Sequence, residues 1–580
     1  MANPEYAKMQ SFSKYFKILL VGLLLSLIIS IIILSSVPPV SRDALTHHLA
    51  VPKLYLKHCS IYEIPDLKCS YYPMNLDLLY LISLYFRNDI IPKYIHFSFA
   101  LLTAWLIFSY LKRRIDRLYA LLGVILFLSL PVIIKLSITV YVDLGLIFFS
   151  TASLIYLLKW IETDFKIKYL VISAIWCGFA LGTKYNGLIV LFLLTLFVPF
   201  IYLRSVRGET SRQIKAIGYC AAFVLISLII FSPWMIRNNT WTGNPIYPLY
   251  ESFFNPKKVV PIITKAPDTD SSDSTNNASD VVKKPKGRWG HFAVRKIVYG
   301  EKWWETALIP VRVFFQGKDD NPKYFDGRLN PILFIFPFFA FIRIKKNDQS
   351  FRTEKKIFFA FAVLFLLYAF VQTDMRIRYI SPIIAPLVIL SVFGMHEIIT
   401  VIKKKYSGNT RGLLKGCVFA FVTFLVSLNA VYIIKQFNII DPMSYISGRV
   451  GRNEYIEKYR PEYAAINYAN HNTPDNAKIL CLFLGNRGYY FDREIAFNFD
   501  LVSKVVLQEG SLDKILVDLE RRRITHILVR YDLFSKWLQD NYNEREKEVI
   551  NKFFKKHVKL LYSKNGHGLY RLKKQVIEDG

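Results

Sequence analysis

Apolar residues in this chain come in long blocks without charges. Residues 18–37 read ILLVGLLLSLIISIIILSSV, with no ionisable side chain from Ile18 to Val37. Similar blocks recur at about 93–111, 118–136, 143–160, 168–183, 187–203, 216–236, 331–342, 357–373, 379–402 and 412–434. A helix needs about 20 apolar residues to cross roughly 30 Å of hydrocarbon. The pattern therefore predicts an α-helical polytopic membrane protein with about 11 transmembrane helices. The first block is long, lacks a small-residue cleavage site and is followed by more spans, so it predicts a retained span, not a leader. Residues 74–86, MNLDLLYLISLYF, are too short to span and carry Asp77. They predict a re-entrant or interfacial helix.

Charge sets the expected orientation. The 580 residues carry a net charge of +31, most of it in short loops. On a soluble chain that balance would point to nucleic acid; between apolar blocks it is the positive-inside pattern, and no nucleic-acid partner is expected. The clusters are Lys112, Arg113, Arg114 and Arg117; Arg204, Arg207, Arg212 and Lys215; Lys345, Lys346, Arg352, Lys355 and Lys356; and Lys403, Lys404, Lys405, Arg411 and Lys415. Placing these inside, and counting alternately, puts the N-terminus inside and the C-terminus outside. Asp43, Asp77 and Asp143 then share the outer face.

Two domains are predicted. Residues 1–436 form the membrane domain, interrupted by a long external loop at 237–330. Within it, 264–287 is rich in Ser, Asp, Asn and Pro and reads as disordered. GEKWWETALIPVRVFF follows and has the aromatic load of an interfacial helix. Residues 437–580 predict a small extracytoplasmic α/β domain. AKILCLFLG is a buried strand, SLDKILVDLERRRITHILVRY a helix then a strand, and HVKLLYSKNGHGLYRLKK a hairpin turned at Asn565-Gly566. Cys177, Cys220 and Cys417 lie in apolar spans and read as packing residues. Cys59 and Cys69 share one loop, where a disulfide and two separate thiols both stand open.

Four short stretches could carry chemistry. In SRDALTHHLAVPKLYLKH (41–58), Asp43 begins a helix just beyond the first span. It is either a helix cap or a catalytic carboxylate. His47, four residues on, shares its helical face, and His48 is beside it. Asp43, His47 and Asp143 are one candidate set for a divalent metal. In LSITVYVDLGLIFF (136–149), Asp143 stands at a membrane edge, where an acid is either a cap or a functional group. In GFALGTKYNGLIVL (178–191), Lys184 either snorkels or neutralises a phosphate, with Tyr185 beside it. In QTDMRIRYISP (372–382), Arg376 and Arg378 stand outside against the charge rule. They either pair with carboxylates such as Asp374 or bind a phosphate.

These stretches, with YYPMNLDLLY and SPWMIRNNTWTGNPIYP (232–248), resemble the membrane glycosyltransferases of the GT-C fold. Within that fold the likeness is to bacterial enzymes grouped with the protein O-mannosyltransferases and the aminoarabinose lipid A transferases. It covers residues from about 15 to about 390. The resemblance implies transfer of a sugar from a polyprenyl-phosphate or polyprenyl-diphosphate donor at the outer face of a bacterial inner membrane. It maps the essential acid of the first external loop onto Asp43, the second acid onto Asp143, and a further acidic position onto Asp77. The chain departs from the usual acidic pair, since Ala44 follows Asp43.

The expected function is that of an inverting glycosyltransferase acting on a lipid, glycan or protein acceptor among the membrane lipids. Asp43 takes the acceptor proton. Arg376, Arg378, Lys184 and Arg237 stabilise the phosphate leaving group. The alternatives are a flippase for an anionic envelope lipid and a non-catalytic assembly protein; the flippase would show paired half-helices in two related halves, which the sequence lacks.

Overall fold

The structure, a computed structural model, describes residues 4–206, 210–256, 290–342, 349–372, 374–497 and 512–573. The stretch 264–287, expected to be disordered, lies outside the described residues, as do Arg207, Lys345 and Lys346.

All eleven apolar blocks are helical. Among the described residues, seven helices are long and apolar enough to cross a membrane by length and composition: Lys17–Ser35, Ile91–Arg114, Asp143–Glu162, Gly187–Ser205, Arg212–Thr242, Ile377–Lys405 and Gly408–Ile440. The block at 118–136 is a helix pair, Arg117–Ser129 and Pro131–Ser137, bent by 64°. Pro131 starts the second piece and cannot continue the first one's hydrogen-bond ladder. Counted as one span, the pair makes eight. The other three apolar blocks of the eleven expected to span are the helices Ile167–Leu181, Ile332–Phe339 and Gln349–Gln372. Residues 74–86 form the predicted short helix, Asn75–Tyr85.

The bundle has two distinct ends. At one, Arg113 pairs with Glu162 at 2.9 Å, while Arg114 bonds both Glu162 and Glu354. At the other stand Asp143, which starts its helix, and Asp43 and Asp77. The three acids therefore share one end, opposite the basic cluster that follows Ile91–Arg114.

Close packing uses small residues, as expected where lipid offers no hydrophobic drive between helices. A Cβ on Gly394 would collide with the backbone carbonyl of Phe336, and one on Gly178 would lie 2.8 Å from the Ser227 carbonyl.

Beyond Gly408–Ile440, short helices lead into a five-stranded sheet. Its strands are β1 (Lys478–Leu482), β2 (Glu494–Ala496), β3 (His526–Arg530), β4 (Val558–Lys564) and β5 (His567–Leu572), in the order β2-β1-β3-β5-β4. β1 runs parallel to β2 and β3; the β4–β5 hairpin closes the sheet antiparallel. Asn565 and Gly566 turn that hairpin with φ of 51° and 73°, as a two-residue primed turn requires. Alternation along β1 sends Leu480 and Leu482 into one core with Trp537 and Phe553, and Ile479 and Cys481 into another with Ile466 and Leu569.

The helix contact at Gly394 is testable. Gly394→Ala should destabilise the detergent-solubilised protein by about 1–3 kcal/mol, since overpacking against backbone has no side chain to yield. Gly22→Ala, where a Cβ meets nothing within 4 Å, should leave the thermal transition in place. Equal transitions for the two variants would contradict this packing.

Candidate functional site

The site is built where the first span ends. Pro38 and Pro39 follow Ser35 and stop the helix. The chain then makes a π-helical turn, Ala44–His48, in which the Leu49 amide reaches back five residues to the Ala44 carbonyl at 2.9 Å. Such turns occur often at functional sites. Asp43 heads this turn, and its side chain caps nothing. Its carboxylate instead bonds Arg378 Nη1, 335 positions away in the chain. The helix-cap role therefore does not explain Asp43. Asp143 is likewise no cap: its Oδ1 accepts from Lys184 Nζ at 2.6 Å.

One ring joins the two ion pairs. The Lys184 ammonium lies 5.4 Å from the centroid of Tyr379, and the Arg378 guanidinium lies 5.5 Å from it. Arg378 also lies 5.4 Å from the Tyr141 ring. Asp43, Arg378, Tyr379, Lys184 and Asp143 thus form one continuous charged array. Asp143 is only 1% exposed, and among the described residues neither its Oδ2 nor the buried Nε of Arg378 has a hydrogen-bond partner. Orphaned polar atoms of this kind leave donor and acceptor capacity for another group.

The array opens on a cavity of about 350 Å³. Asp43, Tyr141, Arg376 and Arg378 line it, with Tyr455 and Tyr459 from beyond the last span. Lys135 lies 2.9 Å from Asp320 and 3.8 Å from Asp326, both on the same wall. Arg376 faces Asp326 at 3.7 Å, while Asp374, its expected partner, goes to Arg295 at 3.4 Å.

Burial by itself would raise the Asp43 carboxyl; Arg378, then His47 and His48, overcome it and hold the group well below the usual carboxylate range. His47 is pushed well below the usual imidazole range by burial and by His48. His48 Nδ1 bonds Asp77 Oδ1 at 2.8 Å, with both side chains buried. The two histidine rings lie 3.9 Å apart.

Several expectations need correction. Among the described residues no three His, Cys, Asp or Glu side chains converge to hold a metal. Asp43, His47 and Asp143 are not a ligand set, because each carboxylate is already neutralised by a cation. Arg237 and Tyr185 do not join the array. The Arg237 guanidinium lies 4.6 Å from Trp234 and 5.0 Å from Trp241, and donates to the carbonyls of Tyr71 and Tyr72. Tyr185 donates to the Tyr247 carbonyl at 2.8 Å. Of the two states left open for Cys59 and Cys69, the structure has no disulfide between them, and Cys59 Sγ donates to the Leu56 carbonyl at 3.7 Å. Tyr141, Tyr379, Asp320 and Asp326 were not anticipated. The two tyrosines stand inside the motifs VYVDLG and RIRYISP, and that proximity is the signal by which they could have been found.

The family described as dolichyl-phosphate-mannose-protein mannosyltransferase matches residues 91–236. No curated protein sequence matches. Among solved structures, ArnT from Cupriavidus metallidurans bound to undecaprenyl phosphate aligns with a TM-score of 0.55 at 13% identity, covering 96% of this chain and 97% of that one. The same protein in the apo state gives 0.54 at 12%, covering 96% and 98%. The Archaeoglobus fulgidus oligosaccharyltransferase tethered with an acceptor peptide gives 0.53 at 11%, covering 97% and 75%. The chain shares the GT-C fold of these membrane glycosyltransferases.

The Lys184–Asp143 pair predicts a specific thermodynamic pattern. Lys184→Met leaves a buried carboxylate without its cation and should cost about 3 kcal/mol of stability. Adding Asp143→Asn to that variant should recover most of the loss in thermal unfolding of the purified protein. Losses that simply add would show that the two side chains do not interact.

Proposed function

From that shared fold, we propose that the protein is an inverting glycosyltransferase using a polyprenyl-phosphate or polyprenyl-diphosphate sugar donor and a cell-envelope acceptor. The observation that carries this reading is the pairing of Asp43 with Arg378 at the wall of the cavity. A carboxylate able to take a proton and a guanidinium able to hold a phosphate stand in direct contact there.

The chemistry divides between them. The acceptor hydroxyl oxygen attacks the anomeric carbon while the bond from that carbon to the phosphate oxygen breaks. The hydroxyl proton goes to Asp43. The charge left on the lipid phosphate goes to Arg378, Lys184 and Arg376. With Arg378 against it, Asp43 is a weak base. A donor phosphate competes for the same guanidinium. Once Arg378 turns to the phosphate, burial raises the carboxyl's affinity for a proton. Donor binding thereby prepares the base. Asp143, with its unpaired Oδ2, receives a hydroxyl of the acceptor or the sugar. The His48–Asp77 pair fixes the far side of the turn that carries Asp43.

The basic end of the bundle faces the cytoplasm under the positive-inside rule. That rule supports a reading in which the cavity and the sheet domain face outward, at the surface of a bacterial inner membrane where lipid-linked donors are displayed.

Asp43→Asn keeps an oxygen that accepts from Arg378 but removes the basicity. Transfer of radiolabelled sugar from a polyprenyl-linked donor should fall by about 100-fold or more, while the variant still purifies folded. Full transfer by Asp43→Asn would remove Asp43 from the chemistry.

A further inference from the structure

The turn that bears Asp43 is not held by the bundle alone. The stretch joining β1 to β2 reaches from the sheet domain onto residues 39–57. Lys53 Nζ donates to the carbonyls of Tyr489 and Phe491 and to Asp492 Oδ1, each at 2.9 Å. Lys57 Nζ adds a bond to the Asp492 carbonyl at 3.3 Å. The Tyr489 amide donates to the Leu45 carbonyl at 3.1 Å, inside the π-helical turn itself. The Tyr490 hydroxyl donates to the Pro39 carbonyl at 2.7 Å, and Arg460 Nε donates to the Val40 carbonyl at 2.5 Å. Backbone carbonyls on both sides of Asp43 are thus taken by residues that follow the last span.

The stretch is itself braced. Arg487 Nε bonds Glu462 at 2.6 Å with both side chains buried. Asn470 donates to the Tyr490 carbonyl at 2.8 Å and accepts from the Asp492 amide at 3.0 Å. Phe483 and Asn486 hold φ of 64° and 57°, which side-chain-bearing residues adopt only where their surroundings enforce it.

The physical logic lies in the turn. A π-helical turn breaks the usual four-residue pairing, so carbonyls along it need partners from elsewhere. The Tyr489 amide supplies one for Leu45. Without it the turn is free to relax toward ordinary α-helical pairing. That relaxation rotates Asp43 about the helix axis, away from Arg378 and the cavity.

We infer that the sheet domain is the positioning element of this site: residues 483–493, anchored on Lys53, hold the turn so that Asp43 faces Arg378, and undocking inactivates the site. Lys53 is a positioning residue and touches no substrate. The activity arm of the test rests on the function proposed above; the docking arm does not.

Two readouts on the full-length protein decide it. The first is backbone amide exchange; the second is the split of transfer into kcat and donor KM. Lys53→Met should speed exchange in peptides covering 44–50 and 486–493 by about tenfold or more, with β1 and β3 unchanged. It should lower kcat by about tenfold or more and leave donor KM within about threefold. Lys53→Arg keeps a cation with several N–H donors and should return both readouts to within about threefold of the natural protein. Tyr490→Phe removes a single hydroxyl, should shift exchange the same way by a smaller factor, and covers the case in which Lys53→Met does not fold. Unchanged exchange at 44–50 in the variants that fold overturns the inference. Equal acceleration in β1 and β3 also overturns it, because the loss is then general unfolding. If the natural protein transfers no sugar, the proposed function falls, and exchange alone still decides the docking.

Discussion

Two ion pairs bridged by an aromatic ring govern this molecule. Asp43 with Arg378, and Asp143 with Lys184, meet across Tyr379. Charges taken this far out of water are costly unless each has a partner. The array is balanced, two carboxylates against two cations, so it can stand at the edge of an apolar bundle. A balance of that sort also makes it responsive. Any anion that claims one cation leaves a carboxylate behind, and burial then drives that carboxylate toward protonation. A lipid phosphate is such an anion, and an attacking hydroxyl is a source of the proton.

The rest of the fold serves this arrangement. Two prolines end the first span and release the chain into the π-helical turn. The Asn75–Tyr85 helix brings Asp77 to His48. Arg378 arrives on the short helical segment that begins Ile377–Lys405, and Lys184 on the turn before Gly187–Ser205. Beyond the last span, the sheet domain returns to the first loop and takes carbonyls on either side of Asp43. Residues more than 400 positions apart therefore fix one short turn.

The apolar blocks were legible because lipid imposes a simple rule: backbone polar groups must be satisfied within the segment. The sheet domain was legible through its runs KILCL and HILVR and through Asn565-Gly566. Asp43, Asp143, Lys184 and Arg378 were legible as residues out of keeping with their surroundings. Their pairing was not, because contacts between residues 43 and 378 leave no trace in local pattern. Arg376 and Arg378 are two apart and look equivalent in sequence, yet one faces Asp326 and the other Asp43. Spacing likewise showed His47 near Asp43 but not the guanidinium that bonds the carboxylate. The 64° bend at Pro131 was not legible, since hydropathy measures apolarity and not straightness. Cys59 and Cys69 are near in sequence, but proximity does not supply disulfide geometry.

The central claim is that a donor phosphate and Asp43 compete for Arg378. A structure of the full-length protein in lipid nanodiscs with a bound polyprenyl phosphate tests it most directly. The account predicts an Arg378 nitrogen within about 3 Å of a phosphate oxygen, with Asp43 released from the guanidinium and open to the cavity. A phosphate bound elsewhere, with the Asp43–Arg378 pair intact, would contradict it.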